Sequence, residues 1–246
     1  MRESPAVRET RSMFQTQLLN LDRLAYDEAL TLMRELVEIK SRFPRPEVLI
    51  LTEHEPVLTM GRRAESSDIL VSQEILMSKG INVYWVERGG LITYHGPGQM
   101  VAYPVFNLHI MSLDVGELVF GLEQVVLDTL FDFGIVADRV KDRRGVWVDG
   151  EKIASIGIAV RKGISFHGIA LNGDPDLSHF ELINPCGLDG VHMTSMSKVL
   201  DRPVDMTNVR NVMIRNFKRQ FKLDLTLCSM DQVFSTNSET REMNVH

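Results

Sequence analysis

The chain has 246 residues, 44% of them hydrophobic and 24% charged, with a formal net charge of −6 and a mean hydropathy near zero. These are globular proportions, with length enough for one large domain or two small ones. No window approaches the roughly 18 uninterrupted apolar residues of a membrane span, and the N-terminal MRESPAVRETRSMFQ has no apolar secretory segment. The acidic balance argues against nucleic acid as the main partner. Two cysteines among 13 methionines read as a reduced intracellular protein. A cytoplasmic location, with no membrane and no nucleic acid as partner, is therefore expected.

From Tyr26 to Lys40, residues Tyr26, Leu30, Met33 and Val37 recur at helical spacing and predict an amphipathic helix ended by Pro44 and Pro46. EVLILTEH follows as a buried strand, and NVYWVE, LITYH and MVAYPVFNL read as further strands. A second helix is expected after Asp114, whose side chain forms a capping-box pattern with Glu117. It carries Leu118, Leu122, Val125, Val126, Leu130 and Phe133, and Gly134 stops it. In RGVWVDGEKIASIGIAVRKGISFHGIALNGD the pairs Asp149-Gly150 and Lys162-Gly163 predict two tight hairpins joining three antiparallel strands. Beyond Asn172 the pattern is irregular until a helix over Asn208 to Gln220, and the polar tail after Val233 is expected to fray. The expected fold is α/β (α+β), mixed sheets flanked by helices. It forms a single catalytic domain over 1–246 with its core at about 14–233.

ERGGLITYHGPGQMVAYP packs four glycines into a strand-like run, which implies a close approach to the backbone. No segment supplies a GxxxxGK[ST] or GxGxxG pattern, and HGPGQ leads into a strand, so a phosphate cradle is not indicated. His54, His95, His109, His167, His179, His192 and His246 form neither an HExxH helix nor a pair with a CxxC, so no metal site is expected. Cys186, between Pro185 and Gly187, lies in a loop suited to presenting a thiol, whereas Cys228 fits a small buried hydrophobe. Strand alternation puts Lys152 on one face with Ala154, Ile156 and Ile158, where it either has a partner or reaches solvent beside the turn. A cysteine with a lysine suggests acyl transfer through a thioester, because an adjacent ammonium favours the thiolate. Arg139, Lys141, Arg143, Arg144, Lys152, Arg161 and Lys162 outnumber Asp138, Asp142, Asp149 and Glu151. That cluster is either a solvated face or a docking surface for an acidic partner.

The segments EHEPVLTMGRRA, RGGLITYHGPGQMVAYP, GVWVDGEKIASIGIAVRKGISFHGIALN and DLSHFELINPCG, in this order, resemble the octanoyltransferases of lipoate biosynthesis. The resemblance runs from Tyr26 to Lys198. It implies a biotin/lipoate protein ligase-like fold around an acyl tunnel, and a reaction needing no cofactor. Octanoyl moves from octanoyl-acyl carrier protein to a specific lysine of lipoyl domains, those of 2-oxoacid dehydrogenase E2 subunits and glycine cleavage H protein, by way of an acyl-cysteine. Carried across, the nucleophile is Cys186 and the lysine that activates it is Lys152. The substrate-binding stretches are Arg88, Gly89, Gly90, Leu91, Ile92, Thr93, Tyr94 and His95; Ser155, Ile156 and Gly157; and Gly168, Ile169 and Ala170. Gly89 and Gly90 are expected to leave room for the acyl chain, and His95 with Gly96-Pro97-Gly98 to shape the mouth. An ATP-dependent lipoate or biotin ligase on the same fold, or a non-catalytic acyl or lipoyl-domain binding protein, are the alternatives.

Overall fold

The computed structural model describes residues 13–184 and 191–234. Its strands are β1 (Phe14–Arg23), β2 (Glu47–Glu53), β3 (Val57–Met60), β4 (Asn82–Trp85), β5 (Ile92–His95), β6 (Gln99–Val105), β7 (Asp138–Val140), β8 (Arg143–Val148), β9 (Glu151–Arg161), β10 (Ile164–Asn172) and β11 (Leu223–Leu227). Its helices are α1 (Tyr26–Arg42), α2 (Gln73–Ser78), α3 (Leu108–Met111), α4 (Val115–Asp132), α5 (Met196–Leu200), α6 (Met206–Phe221) and α7 (Met230–Phe234). Eight strands form one mixed sheet in the order β11-β1-β2-β6-β10-β9-β8-β7, and β4-β3-β5 form a smaller one.

Helices cover both faces of the large sheet, which is why its central strands read as near-continuous apolar runs. The stripe Tyr26, Leu30, Met33 and Val37 of α1 packs with Ile50, Val101, Tyr103, Phe166 and Ala170 on one face. On the other face α4 and α6 bury Leu122, Val126, Met213 and Phe217 against Leu49, Met100, Val146, Ile153 and Leu171. The small sheet has its own core of Leu58, Met60, Ile92, Tyr94 and Phe180. No helix among the described residues is long and apolar enough to cross a membrane.

The expected punctuation recurs at atomic detail. Glu117 N donates to Asp114 Oδ1 at 2.7 Å and Asp114 N donates to Glu117 Oε2 at 2.8 Å, so both ends of the capping box are made. Asp149, Gly150, Lys162 and Gly163 all adopt left-handed φ, at 49°, 84°, 53° and 77°, the turn geometry that follows the twist of the flanking strands. Helix α6 begins before Asn208 because Asp205 caps it, accepting from Thr207 N at 2.9 Å. Pro104 sits inside β6, where a proline removes a ladder hydrogen bond. Pairing with β10 covers only Gln99 to Ala102, and beyond it Ser165 Oγ donates to Pro104 O at 2.7 Å and accepts from Phe106 N at 3.1 Å.

Candidate active site

A cavity of about 190 Å³ opens between the α1 face of the large sheet, β5, and the turns that follow β3 and β7. Of the residues expected to bind substrate, Arg88, Gly90, Leu91, Ile92, Thr93 and His95 line one wall. Ser155, Ile156 and Gly157 of β9 and Gly168, Ile169 and Ala170 of β10 line another, and Lys152 is among them. Gly89 and Tyr94 do not line it. Gly89 N donates to Ile158 O at 3.0 Å, which ties the glycine-rich segment to β9. Tyr94 points into the small-sheet core, within 2.8 Å of His179 Nδ1, because neighbours on a strand face opposite ways. Gly96, Pro97 and Gly98 do not form the mouth either. Gly98, at φ 82°, serves the fold: its N–H donates to Glu53 Oε2 at 2.7 Å and its carbonyl accepts from Gly173 and Asp174.

Lys152 differs from expectation in a way that matters for the chemistry. Val148 pairs with Glu151 and Trp147 with Lys152, but Val146 pairs with Ala154, so Ile153 is an extra residue on β9. This β-bulge breaks the alternation. Ala154 stays with Val146 in the core under α4 and α6, while Lys152 takes the face of Trp147 and lines the cavity. It does not reach out to solvent, being 8% exposed. Its Nζ stands 5.5 Å from the Trp147 ring centroid, a face attractive to a cation. The Lys152 backbone is held from outside the ladder, with its N–H donating to His192 O at 2.8 Å and its carbonyl accepting from Thr194 N at 2.9 Å.

Cys186 lies outside the described residues, and the chain on either side of 185–190 is described. Asn184 N donates to Asp68 O at 2.8 Å, and Ile183 bridges Ile69. On the far side Met193 forms a parallel bridge with Lys152 itself.

Arg88 is buried, and its guanidinium donates to the Thr59 carbonyl, to Thr59 Oγ1 at 2.8 Å and to Gly89 O at 3.1 Å. Burial pushes its pKa down to about 10. Most of its donors thus anchor the glycine-rich segment to β3. Gly157 permits this approach: a Cβ there would lie 2.8 Å from Arg88 Cδ and 3.1 Å from Gly89 O. His95 is buried against Tyr26, with ring centroids 6.1 Å apart, and close to His54. Burial pushes His95 down to about 3 and His54 to about 4.

Tyr26, Arg63, Tyr103, Trp147 and His167 also line the cavity and were not singled out in the sequence. Tyr26 could be read only as a member of the α1 stripe, and nothing local marks Arg63. The basic cluster divides among three surroundings. Arg139 pairs with Glu123 at 3.0 Å and stacks on Phe120, and Arg161 and Lys162 both pair with Glu38. Arg143 and Arg144 line the cavity mouth with Lys152 inside it, and Arg63 joins them from the turn after β3. Among the described residues, Arg63, Arg143 and Arg144 form no ion pair.

A covered mixed sheet with a slot against a smaller sheet defines a class. A family model described as the lipoyl protein ligase A/B catalytic domain matches residues 25–218. Solved structures show the same fold. A putative lipoate protein ligase from T. acidophilum aligns over 93% of both chains with a TM-score of 0.70 at 19% identity. A lipoate-protein ligase A bound with ATP aligns over 89% of this chain and 92% of its own, at TM-score 0.69 and 18% identity. The sequence relatives narrow the class. The octanoyltransferase of Syntrophobacter fumaroxidans is 43% identical over 207 residues, covering 84% of this chain and 91% of its own. That of Alkaliphilus metalliredigens is 39% identical over 209 residues, covering 85% and 96%. The chain belongs to the octanoyltransferase family within the lipoyl protein ligase A/B catalytic-domain class, and is an acyltransferase.

Proposed function

We propose that this protein is a single-domain cytoplasmic enzyme that moves an octanoyl group from octanoyl-acyl carrier protein to a specific lysine of lipoyl domains. The acceptors are those of 2-oxoacid dehydrogenase E2 subunits and the glycine cleavage H protein. The group passes through a thioester on Cys186, and Lys152 moves the protons. One observation carries this reading: the bulge at Ile153 turns Lys152 into a cavity walled by the stretches expected to bind substrate, and the Lys152 backbone pairs with His192–Thr194, a few residues after Cys186 in the chain.

In this scheme the Lys152 ammonium favours the Cys186 thiolate, which attacks the thioester carbonyl of the donor. The carbon–sulfur bond to the pantetheine breaks, and the departing thiolate takes a proton from Lys152. The substrate lysine amine then attacks the acyl-cysteine, neutral Lys152 takes the amine proton, and the Cys186 thiolate leaves. Leu91, Ile156, Ile169 and Ala170 supply apolar lining for an alkyl chain. Arg63, Arg143 and Arg144 suit an acidic carrier at the mouth.

Incubation with octanoyl-carrier in the absence of ATP is expected to add one octanoyl mass, read by intact-mass spectrometry, and Cys186→Ala to abolish it. An ATP requirement would point to the ligase reading, and an adduct that persists in Cys186→Ala would remove the cysteine from the scheme. Lys152→Ala should slow adduct formation and raise the pH at which Cys186 reacts with iodoacetamide. An unchanged profile would remove Lys152 from this role.

A further inference from the structure

The amide side chains behind the cavity form a hydrogen-bond chain with one possible polarity. The Thr194 carbonyl only accepts, so Asn172 Nδ2 is its donor at 2.9 Å and Asn172 Oδ1 is left as an acceptor. Gln99 Nε2 donates to that oxygen at 2.9 Å and to the Tyr94 carbonyl at 3.2 Å. Gln99 Oε1 is then the acceptor facing His95 Nδ1 at 2.6 Å. His95 must therefore carry its proton on Nδ1, which leaves a lone pair on Nε2. Among the described residues Nε2 has no hydrogen-bond partner, and the ring lines the cavity. Burial keeps the imidazole neutral across the physiological range.

The chemistry of the cavity says what this lone pair serves. Among the described residues, five cations, Arg63, Arg88, Arg143, Arg144 and Lys152, line it against one carboxylate, Asp142, and Arg88 spends most of its donors on Thr59 and Gly89. A thioester carbonyl, and the oxyanion formed from it, need donors and find them. The attacking nitrogen of the second half-reaction has the opposite need: its lone pair goes to the acyl carbon and its N–H bonds seek an acceptor, which guanidinium and ammonium groups do not offer. We propose that His95 Nε2 is the acceptor that orients the N–H of the incoming lysine amine, and that Gln99 and Asn172 are positioning residues that hold it in this tautomer. No proton passes to His95. The same chain ends on Thr194, whose N–H holds the Lys152 carbonyl, so it sets the acceptor and the lysine in one frame.

This inference rests on the proposed transfer, and its test separates the two. In protein labelled with ¹⁵N on histidine, long-range ¹H–¹⁵N correlation at neutral pH should show His95 as the Nδ1–H form. In Gln99→Met the signature should move toward Nε2–H. Transfer from preformed octanoyl-enzyme to the lysine of a lipoyl domain should slow about tenfold, the scale of one lost hydrogen bond to a reacting group, while adduct formation from the donor holds its rate. His95→Phe should slow transfer to the lysine at least as much. An Nε2–H signature in the wild type overturns the proposal with octanoyl transfer intact, and this measurement stands even if Gln99→Met fails to fold. Equal slowing of both half-reactions overturns it as well. A wild type that forms no adduct overturns the transfer reading instead.

Discussion

Burial acts on single residues of this protein in opposite chemical directions. Cys228 packs against the α1-side core, and burial pushes its thiol up, away from the thiolate a nucleophile needs. His54 hydrogen-bonds the Leu24 carbonyl at 2.7 Å and the Tyr103 hydroxyl at 2.7 Å, and with His95 it stays neutral far below the usual histidine range. Both folded-state pKa values lie below the unfolded value of about 6.5, so the unfolded chain binds protons first as the pH falls. Their stabilising contribution is whole above about pH 6.5 and is lost toward pH 4 for His54 and pH 3 for His95. By pH 5 each withdraws about 2 kcal/mol, so thermal melts should drop by roughly 10 °C between pH 7 and pH 5. His54→Gln should flatten this dependence by about half. A pH-independent melt over that interval would contradict the burial of both rings.

Strands and turns divide into those written locally and those made by a neighbour. The hairpins at Asp149-Gly150 and Lys162-Gly163, the α4 capping box and the α1 stripe were legible because each depends on residues within a few positions of one another. Strand β1 was not, since FQTQLLNLDR owes its buried Leu18 and Leu19 to β2 and β11 on either side. The bulge at Ile153 was hidden for the same reason: an extra residue exists only relative to the partner strand. Two glycines in this region separate the local from the tertiary. Gly150, at φ 84° with nothing within 4 Å of a Cβ, should cost about 1 kcal/mol on Gly150→Ala, with transfer unchanged. Gly157→Ala meets Arg88 and Gly89 instead. It should lose about 1–3 kcal/mol and, by displacing Arg88 toward the cavity, slow adduct formation roughly tenfold. Denaturation and intact-mass kinetics on the pair test this, and equal activity in both variants would mean that Gly157 only eases packing.

Over the whole molecule, the charges of β7 to β9 show how little a linear run says about a surface. Folding pairs Arg139 with Glu123 and turns Arg161 and Lys162 to Glu38, so the cations left at the cavity mouth come from two distant parts of the chain. If they steer an acidic carrier, adduct formation should slow about tenfold as salt rises past 0.1 M, where exposed charges are screened beyond about 10 Å. Arg143→Gln with Arg144→Gln should remove most of that dependence in stopped-flow measurements. A salt-insensitive wild type would return these arginines to the role of solvated surface.

Local spacing and residue type carry the alternation of helices and strands, the turn positions and, through ordered motifs, the family and most of the residues that line the cavity. Strand pairing and distant contacts turn Lys152 to the cavity and Tyr94 away from it, bring Arg63 to the mouth and set His95 Nδ1 against Gln99. Each of those depends on which strand lies beside which, and on where a distant carbonyl or ring sits. No pattern along a single segment can encode a partner far away in the chain.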